Sequence, residues 1–280
     1  MKILKAIIFA AAAALCYAVF AQAPENVKFE KAESPSMKKK IDVAVILPED
    51  YAKNPGKRYP AVYLLHGYKG SHATWPMHTK PNLHKLATRY QMIFVSPDGG
   101  NNWYFDSPKN PEIKYETFVS KELVDFVDSK YRTIADKSGR AITGFSMGGH
   151  GALFLCFRHG GVFGACGSTS GAADMRPFPN TANIAEIIGG CPQNPKLWDE
   201  YMAVEQISKI DKSDMPAIIV DCGTEDFLFA VNEALHKRLL EARVPHEYTT
   251  RPGAHTHDYW RYSIDHHLIF FDKFFKSKKQ

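Results

Sequence analysis

Ser146 stands in Gly144-Phe145-Ser146-Met147-Gly148, with Gly149 following. A serine hydroxyl is a poor nucleophile at neutral pH and needs a neighbouring base. Glycines on both sides allow a sharp strand-to-helix turn that exposes such a hydroxyl above a sheet. An apolar strand (140–143) precedes the serine and a small-residue helix (148–158) follows, the context that a chance Gly-x-Ser-x-Gly lacks. The chemistry expected is acyl transfer, which calls next for an acid and then a histidine along the chain. Asp226, in Asp221-Cys222-Gly223-Thr224-Glu225-Asp226, is the candidate acid. It could also cap the next helix, and Glu225 and Asp221 are its substitutes. His255, in Pro252-Gly253-Ala254-His255-Thr256-His257, is the candidate base because small residues before it permit a tight loop; His257 is the alternative.

A tetrahedral oxyanion needs backbone donors, one of which is worth about 2.7–4 kcal/mol. Met147 N–H, directly after the nucleophile, is one candidate. Tyr68 N–H, where Leu64-Leu65-His66-Gly67 ends an early strand, is the other. His66 is read as packing beneath that loop, and His266 and His267 as helix-surface residues. No metal is expected: His255-Thr256-His257-Asp258 lacks the His-x-His-x-Asp-His spacing of metallo-hydrolases, and no Cys-x-x-Cys pair occurs.

The elements that must position these residues follow an alternating pattern. Alternation at Ile41, Val43, Val45 and Leu47 predicts a half-buried edge strand. Continuous apolar runs at 61–65 and 92–96 predict strands buried on both faces. Further strands are expected at 163–168, 217–222 and 246–250, with helices at 83–90, 118–131, 148–158, 228–243 and 259–275. Such alternation argues for one α/β domain (41–280), a mostly parallel sheet with helices on both faces. Residues 171–211, with Pro177, Pro179, Pro192 and Pro195, interrupt it and read as a short lid-like insertion over the ligand-binding edge. Residues 22–40 are polar and read as an extended lead.

Of 280 residues, 45% are hydrophobic and 23% charged, an ordinary globular composition. Lys2 and Lys5 followed by the apolar residues 7–19 read as a signal peptide, cut after Ala21, so the protein is expected to be secreted or periplasmic. A lipid anchor at Cys16 is disfavoured because Ala14-Leu15 lacks the small residue wanted beside the cysteine. Without the two leader lysines the net charge of +5 falls to about +3, too small a bias to suggest nucleic acid. No other stretch is long and apolar enough to span a bilayer. Cys156, Cys166 and Cys222 have apolar neighbours and are read as buried thiols; with Cys191 they would also permit disulfides.

Together, Leu65-His66-Gly67 with Gly70 and Trp75, Pro97-Asp98-Gly99-Gly100-Asn101, Gly144-Phe145-Ser146-Met147-Gly148-Gly149, Cys222-Gly223-Thr224-Glu225-Asp226 and Gly253-Ala254-His255 resemble the esterase-D-like group of α/β-hydrolases. That group includes tributyrin, feruloyl and acetylxylan esterases, S-formylglutathione hydrolases and mycolyltransferases. The resemblance spans about 41–275. It implies Ser146 as nucleophile, Asp226 as acid, His255 as base, Tyr68 and Met147 as oxyanion donors, and no cofactor. The expected activity is hydrolysis of feruloyl, acetyl or other short-chain esters. An acyltransferase with the same triad and a non-catalytic carbohydrate-binding protein are the rivals. Relatives often carry Trp two residues after the catalytic histidine; here His257 stands there, at the pocket wall. Trp103 and Tyr104 are the candidate aromatic wall for a sugar or phenolic acyl group, with ordinary loop packing as the alternative.

Overall fold

A computed structural model describes residues 23–278, so the leader, its cleavage site and Cys16 lie outside the described residues. Eight strands form one sheet: β1 (Val27–Ser34), β2 (Lys39–Ile46), β3 (Ala61–Leu65), β4 (Ile93–Pro97), β5 (Arg140–Phe145), β6 (Ala165–Thr169), β7 (Ala217–Gly223) and β8 (Glu247–Arg251). Their order is β1-β2-β4-β3-β5-β6-β7-β8. Neighbours from β4 to β8 are parallel, and β2 runs antiparallel to both β1 and β4.

Central strand β3 is apolar throughout because both its faces are covered. In β3, Ala61, Tyr63 and Leu65 enter one core cluster while Val62 and Leu64 enter the other. Helices α1 (Leu83–Tyr90) and α7 (His257–Ser277) pack on one face. On the other lie α2 (Leu123–Lys130), α3 (Met147–Arg158) and α6 (Phe229–Glu241). This is the α/β-hydrolase arrangement.

One expectation is corrected at the sheet's edge. Val27–Ser34, within the expected extended lead, are a full strand of the sheet: β1 pairs with all of β2, from Val27 opposite Ile46 to Ser34 opposite Lys39. In consequence β2 is an interior strand, with Val43 through Ile46 wholly buried. The insertion 171–211 contains α4 (Ile184–Ile188), α5 (Pro195–Tyr201) and a 3₁₀ stretch, Ala203–Lys209. Ile184, Ile188, Trp198 and Met202 anchor it in the core.

The strand order reverses at β3: the chain passes outward to β4, then back to β5 on β3's other side. Ligands of open α/β sheets bind outside the carboxyl ends of strands at such a switch point. Leu65 pairs with Gly144 there, which sets the loop after β3 beside the turn after β5. A Cβ at Gly148 would lie 2.3 Å from Leu65 O, so only glycine lets α3 start this close to β3.

Candidate active site

Ser146 occupies the turn between β5 and α3 at φ 56°, ψ −122°, a backbone region that side chains rarely adopt. Surrounding hydrogen bonds hold it there. Its N–H donates to Thr169 O (3.1 Å), and its carbonyl accepts from His150 N–H and Ala172 N–H. The glycine-flanked sequence thus folds as the sharp, strained turn that nucleophile exposure requires.

The loop after β7 carries Asp226 and the loop after β8 carries His255. Backbone bonds clamp the two loops together, Thr224 N–H to Arg251 O and Glu225 N–H to Gly253 O. Gly253 sits at φ 144°, and a Cβ on Gly223 would lie 2.1 Å from Gly253 O. Thr256 then caps α7, accepting from Tyr259 N–H. His255 is therefore held immediately before a fixed helix start.

The three side chains meet. His255 Nε2 lies 2.9 Å from Ser146 Oγ, and His255 Nδ1 lies 2.8 and 3.0 Å from the Asp226 carboxylate oxygens. The Asp226 side chain is fully buried. Burial works against its charge, but hydrogen bonds from His255 and Leu228 N–H outweigh it and hold the carboxyl below its ordinary range. An ionised carboxylate only accepts, so His255 Nδ1 carries the proton and Nε2 accepts from the Ser146 hydroxyl. The bond from Leu228 N–H to Asp226 Oδ1 (2.8 Å) shows that Asp226 also braces the turn leading into α6. The His255 ring stands edge-on to Trp260, which stacks on Phe145 at 4.1 Å between centroids.

Neither substitute acid reaches His255. Glu225 is exposed. Asp221, buried in β7, is taken by Arg251, Tyr259, Ser263 and His267. His267 corrects an expectation: His266 is exposed, but His267 is wholly buried and contacts Thr143 Oγ1 through Nδ1 at 2.7 Å. Helical phase is the cause, since residues 260, 263, 264, 267, 268 and 271 share the inward face of α7.

A cavity of about 600 Å³ opens over Ser146 and is lined by Tyr68, Met147, Trp103, His257 and others. Met147 opens α3, so its N–H has no intrahelical acceptor and is available to a ligand. Tyr68 follows Gly67, whose Cα lies so close that an added Cβ would come within 3.4 Å of Ser146 Cβ. His66 lies beneath, fully buried, accepting from Gly99 N–H through Nε2 at 2.8 Å and donating through Nδ1 to Gly67 O. Trp103 lines the cavity, with Nε1 donating to Ala182 O in the insertion. Tyr104 does not line it: the side chain is buried and its hydroxyl donates to His66 O, so the expected two-residue wall reduces to Trp103. His257 is at the wall, its Nδ1 2.9 Å from Thr79 Oγ1. Sequence reasoning missed Phe227, which is 57% exposed and packs against His255 and Phe178. An aromatic directly after the acid, at a position free to face solvent, was the available signal. Ala172, Met175, Thr181 and Ala182 of the insertion complete the wall.

The four cysteines among the described residues are free, three of them buried and Cys191 partly so. Within the described residues no helix is long and apolar enough to cross a membrane.

Residues 34–271 match the Esterase family, described as "Putative esterase". An esterase of Mycobacterium tuberculosis (strain CDC 1551 / Oshkosh) is 30% identical over 250 residues, 80% of this chain and 54% of the relative. The chain thus spans about half the length of the mycobacterial relatives it matches. An acetyl esterase of Caldicellulosiruptor saccharolyticus is 26% identical over 248 residues, 81% of this chain and 91% of the relative. Among solved structures, a ferulic acid esterase superposes with a TM-score of 0.77 at 29% identity, covering 89% of this chain and 98% of its own. With the family match running through β2 to β8 and the same fold in the solved relative, this chain belongs to the esterase family of α/β-hydrolases.

Proposed function

We propose that the protein is a serine carboxylic-ester hydrolase working through an acyl-enzyme. The observation that carries this reading is the continuous chain from Ser146 Oγ to His255 Nε2 (2.9 Å) and from His255 Nδ1 to Asp226 (2.8 Å). In the first half, Ser146 Oγ attacks the ester carbonyl carbon while His255 Nε2 takes the hydroxyl proton. The carbonyl oxygen becomes an oxyanion, held by Met147 N–H and Tyr68 N–H. Collapse breaks the bond to the alcohol, which leaves with the proton from His255. A water molecule then attacks the acyl-serine, giving its proton to His255, which returns it to Ser146 Oγ as the acid leaves. Asp226 keeps Nδ1 protonated and stabilises the imidazolium formed in each half.

The substrates proposed are feruloyl or acetyl esters of plant polysaccharides or other short-chain esters. A cavity of about 600 Å³ walled by Trp103, Phe227 and Trp260 supports a flat phenolic or sugar ring. The names of two relatives, an acetyl esterase and a ferulic acid esterase, support the same range. Export is part of the reading, on the basic and then apolar character of residues 1–21.

Replacing Ser146 by Ala tests the mechanism. Turnover of a short-chain nitrophenyl ester should fall by on the order of 10⁶, with labelling by a fluorophosphonate probe lost. Turnover within tenfold of the parent would end the acyl-enzyme reading.

A further inference from the structure

The mouth of the cavity over Ser146 is electrostatically one-sided. Lys69, His78 and His257 line it, and no aspartate or glutamate does. Of the nearby carboxylates, Asp226 faces His255, Asp258 lies 3.5 Å from Arg261, and Asp98 accepts from Gly100 N–H with His72 3.9 Å away. Lys69 is exposed at φ 64°, and its backbone N–H is fixed by Asn101 Oδ1 at 2.7 Å. Its ammonium lies 5.9 Å from the centre of the Tyr68 ring, next to the proposed oxyanion donor. His257 is tied through Nδ1 to Thr79 and wedged edge-on against Phe145 and Trp260, which leaves Nε2 on the far side of the ring.

Resting on the ester-hydrolase reading above, we propose that this rim selects esters bearing a carboxylate near the scissile bond. Lys69 supplies the counter-charge, and His78 and His257 supply donors. The carboxylate can belong to the alcohol, as in an acylated uronate, or to the acyl group, as in a dicarboxylic half-ester. A cation in a cleft with apolar walls concentrates anions, an attraction that salt screens over about 10 Å at 0.1 M.

The rim also gains charge as pH falls. Burial pushes His257 below its ordinary imidazole range, as do His78 from the segment Thr74–Thr79, Arg261 on its own helix and His255 from the preceding loop; Asp258 opposes them. Phe145 from β5 contributes no charge. Preference for an ionised substrate carboxylate therefore rises as pH falls and His257 gains its proton. A ratio between two substrates removes any pH dependence that both share.

The experiment compares kcat/KM for matched probes. Mono-4-nitrophenyl succinate against 4-nitrophenyl butyrate reads the acyl side; the acetyl esters of galacturonate and galactose read the alcohol side. The ratio of charged to neutral probe should exceed one in one arm and fall about fivefold in Lys69→Met, the scale of a single exposed ion pair. Lys69→Arg should restore it, and added salt should lower it. Equilibrium binding of the same probes to Ser146→Ala should show the same order. A ratio at or below one in both arms, or one indifferent to Lys69→Met and to salt, overturns the proposal while leaving the hydrolase intact. If the parent turns over no ester, the hydrolase reading fails, and binding to Ser146→Ala still decides the rim.

Discussion

Asp226→Asn isolates what the buried carboxylate contributes, because it keeps shape and removes charge. Asp226 Oδ1 accepts both Leu228 N–H (2.8 Å) and His255 Nδ1 (3.0 Å), and Oδ2 accepts His255 Nδ1 (2.8 Å). An asparagine has one accepting oxygen and one donating amide. Its oxygen must stay on the Leu228 side, since an amide there would face another donor in a buried site. The NH₂ group then points at His255 Nδ1, which can meet it only as an acceptor. That tautomer carries its proton on Nε2, facing Ser146 Oγ, and cannot take the serine proton. Loss of the correct tautomer and of the imidazolium's counter-charge should lower kcat about 10⁴-fold. At 1.36 kcal/mol per factor of ten this is about 5.4 kcal/mol. KM should change little, since Asp226 does not line the cavity. Stopped or steady-state turnover of a nitrophenyl ester gives kcat, and thermal unfolding of the same sample shows that the fold survives. A variant folded like the parent with kcat within tenfold would refute the assignment of Asp226 and the tautomer argument together.

Other perturbations probe the scaffold. Asp221→Asn leaves Arg251 without its buried partner, which should cost about 3–5 kcal/mol, or roughly 6–20 °C in unfolding midpoint for a domain of this size; a shift under 2 °C would mean the network is not under load. Burial works against the Asp221 charge, yet His267, Ser263 and Arg251 hold its carboxyl below the ordinary 3.8. A depressed folded-state pKa gives stability that is present above pH 3.8 and lost as pH falls through the lower folded value; acid titration of the unfolding midpoint should show that loss in the parent and less of it in Asp221→Asn. Gly148→Ala drives a Cβ into Leu65 O and His66 O, both backbone atoms. It should destabilise by about 1–3 kcal/mol or more and displace Ser146, so fluorophosphonate labelling should slow even in folded material.

Much of the site was legible because α/β folds gather function at the carboxyl ends of strands. Ser146, Asp226 and His255 each follow a strand, and each is marked by glycine where the backbone must turn sharply or approach another segment. Those signals are local, carried by a few adjacent residues. The sheet's interior was legible for a similar reason, since β3 is apolar at every position and β4 at all but Ser96. β1 was not. Its sequence Val-Lys-Phe-Glu-Lys-Ala-Glu-Ser places charged residues through an edge strand, as edges that must resist unwanted pairing do. That protection hides the strand from a search for apolar alternation.

The misread residues are those whose partners lie far along the chain. His267 meets Thr143 across 124 residues, and Tyr104 meets His66 across 38. Nothing in the neighbourhood of His267 distinguishes it from exposed His266, except helical phase against a face whose direction only the fold decides. Asp221 gives the sharper case. From sequence it is a substitute for Asp226 as the acid, ranked behind Glu225 because the strand is expected to hold it, as it does. Its strand register puts it opposite Thr169, beneath the triad, where Ser263 and His267 of α7 converge on its carboxylate. The two aspartates therefore differ by depth: Asp226, past the strand's end, hydrogen-bonds His255, and Asp221, five residues earlier, fastens α7, whose first turn follows His255. Residue type gave both the same claim to the chemistry, and five residues of strand and loop separate the partner of His255 from the anchor of α7.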